Sequence, residues 1–131
     1  MPVVAISVKH LNKLIGQDHP QEKLVQALEQ LGCDVEDTVN LFLYKCPACG
    51  APNDKLETEE GTKRCEFCGH EDGTIFEKFA SDKVIRIDLL ADRPDLFNVG
   101  GLARSLRGYL DIETGLPQFA LSKGELEVNV D

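Results

Sequence analysis

The chain has 131 residues, 42% of them hydrophobic and 6% aromatic, with no tryptophan and a formal net charge of −9. That is enough apolar material for a single core, so the chain reads as one domain, or one domain with a small insert. The negative charge opposes phosphate backbones, the few aromatics offer no platform for stacked bases, and no apolar run approaches the about 20 residues of a membrane span.

The β-branched run Val3 to Val8 predicts a buried first strand, and His10 to Ile15 a short helix closed by Gly16. Pro20 opens a clearer helix, with Leu24, Val25, Leu28 and Leu31 at helical spacing and Gly32 as its stop. In Asp34 to Tyr44 the alternation of Val39, Leu41 and Leu43 predicts a strand over the second half.

From Cys46 to Gly73 the composition turns polar. Cys46-Pro-Ala-Cys49-Gly50 and Cys65-Glu-Phe-Cys68-Gly69 form a C-x2-C-x15-C-x2-C pattern, the spacing of a tetrathiolate zinc site. Two residues between paired cysteines let a tight turn aim both sulfurs at one ion, and the glycine that follows permits the left-handed backbone such a turn uses. Cys46, Cys49, Cys65 and Cys68 would close a tetrahedron with no position open to water, so the zinc is expected to be structural, one ion per chain. Disulfides would need a secreted protein, and a redox motif would not come twice with a glycine after each copy. The start of the chain has no basic segment followed by a long apolar run, and reduced cysteines without a targeting signal imply the cytoplasm. Cys33 is read as a small buried hydrophobe.

Residues 53–64 between the pairs predict a small hairpin turning near Gly61, which completes a zinc ribbon too small for a core of its own. Residues 46–73 have seven acidic and three basic side chains, a formal −4, and tetrathiolate zinc adds more negative charge. Weak or no nucleic-acid binding is expected of the ribbon. His70 follows the second pair closely, but four thiolates already suffice.

Ile75 to Phe79 predicts a returning strand, and Val84 to Leu90 another with one buried face. Asp92-Arg93-Pro94-Asp95 reads as a turn rather than a catalytic pair of carboxylates. Asn98 caps a helix whose stripe is Val99, Leu102, Ala103, Leu106 and Leu110. Arg104 and Arg107 lie outside that stripe and, with Lys9, read as solvated rather than as contacts to RNA or a partner. Glu125 to Val130 alternates and predicts a last strand, running to Asp131 as if the chain were cut in mid-pattern. The fold class is therefore α+β: a small sheet packed with two or three helices, residues 1–44 and 75–131, interrupted by a four-cysteine zinc ribbon at 45–74.

The segment Ile85-Arg-Ile-Asp-Leu-Leu-Ala-Asp-Arg-Pro-Asp-Leu-Phe-Asn-Val-Gly-Gly-Leu-Ala-Arg-Ser-Leu-Arg-Gly-Tyr-Leu110 resembles the N-terminal region of the phenylalanyl-tRNA synthetase β subunit, in its archaeal and eukaryotic-like form. Met1-Pro-Val-Val4 through Lys9, Leu28 to Glu36 and Gly115-Leu-Pro117 resemble that region in the same order. Two departures stand out. A zinc ribbon occupies a place where the family is often continuous or, in bacterial forms, carries an oligonucleotide-binding fold, and Gly100 stands where a Glu is usual. The resemblance implies a ligase that joins phenylalanine to its tRNA with ATP and magnesium, neither bound by this segment. It also implies as partners the α subunit, the remaining β-subunit domains and, in the complete enzyme, tRNA. The family's aminoacylation and editing sites lie elsewhere, so this segment would be a non-catalytic support for assembly. The alternative is a free-standing zinc-ribbon adaptor derived from the same fold.

Overall fold

The computed structural model describes residues 3–130; Met1 and Pro2, cited in the first-strand resemblance, and Asp131 lie outside them. Four strands form one antiparallel sheet in the order β1-β4-β2-β3, where β1 is Val3–Ser7, β2 Asp34–Lys45, β3 Pro52–Leu56 and β4 Glu77–Asp88. Helices α1 (Val8–Ile15), α2 (Gln21–Gln30) and α3 (Val99–Tyr109) pack on it. The architecture is the expected α+β class with three helices.

Helix α1 begins two residues earlier than expected because the Ser7 hydroxyl accepts from the His10 N–H at 3.2 Å, capping a helix where the β-branched run predicts strand. Gly16, at φ 87°, ends it, and its N–H donates to the Asn12 carbonyl at 2.9 Å. Asn12 is buried and clasps His19, donating to its carbonyl and accepting from its N–H, which fixes the link to α2.

The core joins Leu11 and Ile15 of α1, Leu24 and Leu28 of α2, Leu102 and Leu106 of α3, and Ile6, Ile85 and Ile87 from the sheet. Burying each such side chain contributes about 1.5–3 kcal/mol. Arg86 alternates with Ile85 and Ile87, so it projects from the other face of the sheet. There its guanidinium grips Asp37 through two bonds, Nε to Oδ1 at 2.7 Å and Nη2 to Oδ2 at 2.6 Å. That contact holds the Asp37 carboxyl below its ordinary pKa.

Three expectations change. The strand expected in the second half of Asp34–Tyr44 starts at Asp34, because pairing with β4 overrides the poor strand propensity of Asp34 and Asp37, with Glu36 unpaired at a bulge between Val35 and Asp37. The two strands expected at 75–79 and 84–90 are one, β4. Its polar middle, Ser81-Asp82-Lys83, reads as a break but pairs with Phe42, Leu41 and Asn40 in an arm beyond the core, where β3 flanks β2 from Leu41 onward. No strand forms over Glu125 to Val130: Leu126, Val128 and Val130 are 75–91% exposed and have no ladder beside them.

The hairpin is also displaced. It does not turn near Gly61; β3 pairs instead with the end of β2, Lys45 opposite Pro52 and Leu41 opposite Leu56, so the first cysteine pair sits in the connection. Gly61 is a close-packing position, where any Cβ would overlap the Ile75 side chain and press on Tyr44.

The Asn98 cap is as expected, its Oδ1 accepting from the Gly101 N–H at 2.9 Å. The turn at 92–95 leads into a 3₁₀ turn, Pro94–Leu96, where Pro94 fixes the first residue.

Candidate metal centre

The chain leaves the body along the arm formed by β2 and β4. Six residues, Asn40 to Lys45, run beyond the last β1–β4 pair; at strand rise this is about 20 Å. At its end Tyr44, Cys46, Cys65 and Phe76 form a second buried cluster that shares no residue with the first.

Both cysteine pairs adopt the same turn. Gly50 N–H donates to the Cys46 carbonyl at 2.9 Å and Gly69 N–H to that of Cys65 at 3.0 Å. The two glycines have φ 75° and 74°, the left-handed backbone expected of them. Each turn closes in a matching way: Cys46 N–H donates to Ala51 and Cys65 N–H to His70, at 3.0 and 2.8 Å.

These turns bring four Sγ atoms, from Cys46, Cys49, Cys65 and Cys68, within 4.8 Å of one another. Cys46 lies 3.8 Å from Cys68, and Cys49 3.7 Å from Cys65. A tetrahedron with metal–sulfur bonds of about 2.3 Å has edges of about 3.8 Å, so the sulfurs stand at the spacing of a metal centre with four thiolates. Cys46 and Cys65 are 1% exposed, whereas Cys49 and Cys68 face solvent. With four sulfurs the set closes on itself and leaves no ligand position for water.

The electrostatics call for a cation. The Cys68 backbone N–H pulls the Cys65 thiol down to about 6, against the opposing effect of burial and with help from Phe67 and Asn53. For Cys49 the Ala51 amide favours the thiolate, but the sulfurs of Cys68, Cys46 and Cys65, together with desolvation, prevail and push it up to about 12. Four sulfurs this close resist ionising together until a dication compensates them.

The sequence reading missed Asn53. Its side chain is 1% exposed and ties the two turns together: Oδ1 accepts from the Glu66 N–H at 2.9 Å, and Nδ2 donates to the Ala51 carbonyl at 3.2 Å and to Cys65 Sγ at 3.7 Å. It sits beside the second pair through the β2–β3 pairing, which no spacing rule announces. Asn53→Ala is expected to weaken metal binding about 10–100-fold, as loss of groups that orient ligands does. Competition with a chromophoric chelator reads this directly; unchanged affinity would remove Asn53 from the centre.

Other singled-out residues lie elsewhere. His70 stacks its ring on Phe76, with centroids 6.3 Å apart, and contributes its carbonyl rather than its imidazole. Arg93 and Asp95 neutralise each other on the surface, Nε to Oδ1 at 3.0 Å and Nη2 to Oδ2 at 2.8 Å. Arg107 pairs with Glu113 at 3.0 Å, while Arg104 and Lys9 are exposed. Cys33 is buried, which raises its thiol pKa. Among the described residues no helix is long and apolar enough to cross a membrane.

No family model matches the chain, and no solved structure matches it significantly. Curated proteins do. The chain is 28% identical over 130 residues to the phenylalanine–tRNA ligase beta subunit of Methanosarcina acetivorans, covering 99% of this chain and 16% of the relative. The beta subunit of Archaeoglobus fulgidus is 28% identical over 131 residues, again with 16% of the relative covered. That of Methanopyrus kandleri is 40% identical over 50 residues, which are 38% of this chain. Over its full length the chain is related to the archaeal beta subunit of phenylalanine–tRNA ligase, and it spans 16% of the length of the first two relatives.

Proposed function

We propose that the chain is a structural, non-catalytic domain of a phenylalanine–tRNA ligase β subunit, in which Cys46, Cys49, Cys65 and Cys68 hold one zinc ion. The observation that carries the reading is similarity along the whole chain to archaeal β subunits. The cysteine geometry supports zinc, which favours four thiolates in a closed tetrahedron. Residues 1–44 and 75–131 are then the host unit and 45–74 the inserted ribbon; two separate buried clusters support two units, with the host's flanking Tyr44 and Phe76 packing into the ribbon's cluster. Bound zinc would lock the two turns and supply the folding free energy the ribbon lacks. The partners are then the synthetase's other subunit and the rest of the β chain. ATP, magnesium and the reacting ends of phenylalanine and tRNA belong outside this segment.

An antibody against the chain separates this reading from a free-standing adaptor. A band in source cells several times the 14.5 kDa of the chain is expected; one near 14.5 kDa would overturn the synthetase assignment. The polypeptide so identified, assembled with its partner subunit, should charge tRNA with phenylalanine. Titrating tRNA into the isolated chain at about 0.1 M salt is expected to give no saturable binding. A sub-micromolar, salt-sensitive isotherm would assign RNA contact to this segment.

A further inference from the structure

The ribbon is carried away from the body rather than packed against it, and its surface is not inert. Between the first cysteine turn and the strand that returns to the body lies a groove of about 380 Å³. Its apolar floor is Pro47, Phe76 and Ile75, the last 49% exposed. Two exposed carboxylates, Asp72 and Glu77, stand over it, and neither has an ion-pair partner among the described residues. Lys45, opposite Glu77 in the β2–β4 ladder, offsets one of them. The surroundings tip the balance: residues 46–73 are formally −4, and a loaded tetrathiolate zinc centre would add two further negative charges beneath the groove.

A volume of this size takes one or two side chains rather than a folded surface. The field excludes phosphate and carboxylate ligands and attracts cations. We propose that this groove docks an extended protein segment that presents an apolar side chain flanked by arginine or lysine. The apolar group would cover Ile75 and Pro47, and the flanking cation would pair with Asp72 and Glu77. The arm of about 20 Å gives such a segment access without a clash against the helices. The proposal rests on the ribbon being metal-loaded, since Cys46 forms one wall.

The test uses the zinc-loaded chain, ¹⁵N-labelled, with a short peptide alternating arginine and leucine as probe. Shifts confined to the amides of 45–50 and 72–77 are expected, and none from a matched glutamate–leucine peptide or from oligouridylate. Asp72→Asn with Glu77→Gln should weaken the binding about tenfold or more, and Ile75→Ser should weaken it as well, with zinc content unchanged. Absent shifts, equal shifts with the acidic peptide, or shifts with the RNA would each overturn the proposal. Zinc content is measured first: a chain that takes up no zinc defeats the metal reading, whereas a loaded chain that ignores the basic peptide defeats the groove alone.

Discussion

Replacing Cys46 with serine is expected to abolish stoichiometric zinc binding and to unfold the ribbon while the helical body stays folded. Cys46 is the buried cysteine of the first turn, with its sulfur 3.8 Å from that of Cys68, and serine offers a poor donor for zinc. Zinc in comparable small sites supplies about 10–16 kcal/mol at neutral pH, and the ribbon's own buried cluster is only Tyr44, Cys46, Cys65 and Phe76. Losing the metal therefore removes most of what holds residues 46–76. The body does not share that fate, since Leu11, Leu24, Ile85, Leu102 and their neighbours form a cluster without ribbon residues. Amide exchange would show the division: protection lost throughout the ribbon and β3, retained in Ile85–Ile87 and α3. Global loss of helical circular dichroism would mean that the ribbon braces the body after all. Chelation of the unaltered chain should reproduce the variant, and acidification acts in the same direction because protons compete with the metal for thiolates.

Gly101→Ala is expected to damage the other half of the molecule. A Cβ at Gly101 would overlap the Asp95 carbonyl oxygen, because the 3₁₀ turn at Pro94–Leu96 lies directly on the first turn of α3. The obstacle is backbone, held by Pro94 and by the buried Leu96, so it cannot swing aside as a side chain would. Separating the two would withdraw Leu96 and Leu102 from the core and strain the Asn98 cap, a loss of about 3 kcal/mol or more. Gly108→Ala is the control. It sits in the same helix, where the nearest atom a Cβ would meet is 4.0 Å away, and there alanine should stabilise by about 0.5–1 kcal/mol through its helix propensity. Thermal melts of the two variants should shift in opposite directions. If Gly101→Ala melts like the parent, the contact between the 3₁₀ turn and α3 is not tight.

Local chemistry was legible from sequence: the Asn98 cap, the Gly16 stop, the Leu24/Leu28 stripe and the paired cysteine turns each rest on residues within a few positions of one another. What was not legible depends on partners distant in the chain. Ser81-Asp82-Lys83 reads as a break because neither face of the arm is buried there, yet β2 supplies its ladder. Asn53 looks like a loop residue until β2–β3 pairing carries it to Cys65. Glu125 to Val130 shows the converse. Its alternation satisfies the strand pattern, but no edge receives it, and pattern alone does not make a strand. The gathering of Cys46, Cys49, Cys65 and Cys68 was the easiest to anticipate, because the spacing of such a four-thiolate set is local and needs little of the fold.

The register at the base of the ribbon has a consequence for how such proteins change over time. Lys45 and Glu77 are ladder partners, so the chain entering the ribbon and the chain leaving it stand side by side, about 5 Å apart. A join of this kind asks nothing of what lies between except that its two ends meet. A tight two-residue turn would satisfy it, and so would any self-contained module with adjacent termini. Gain, loss or exchange of the segment between these positions leaves the register of Ile85 and Ile87, and hence the core, as it was. The core thus sets no packing condition on this tip, whereas it sets one on the helices and on Gly101.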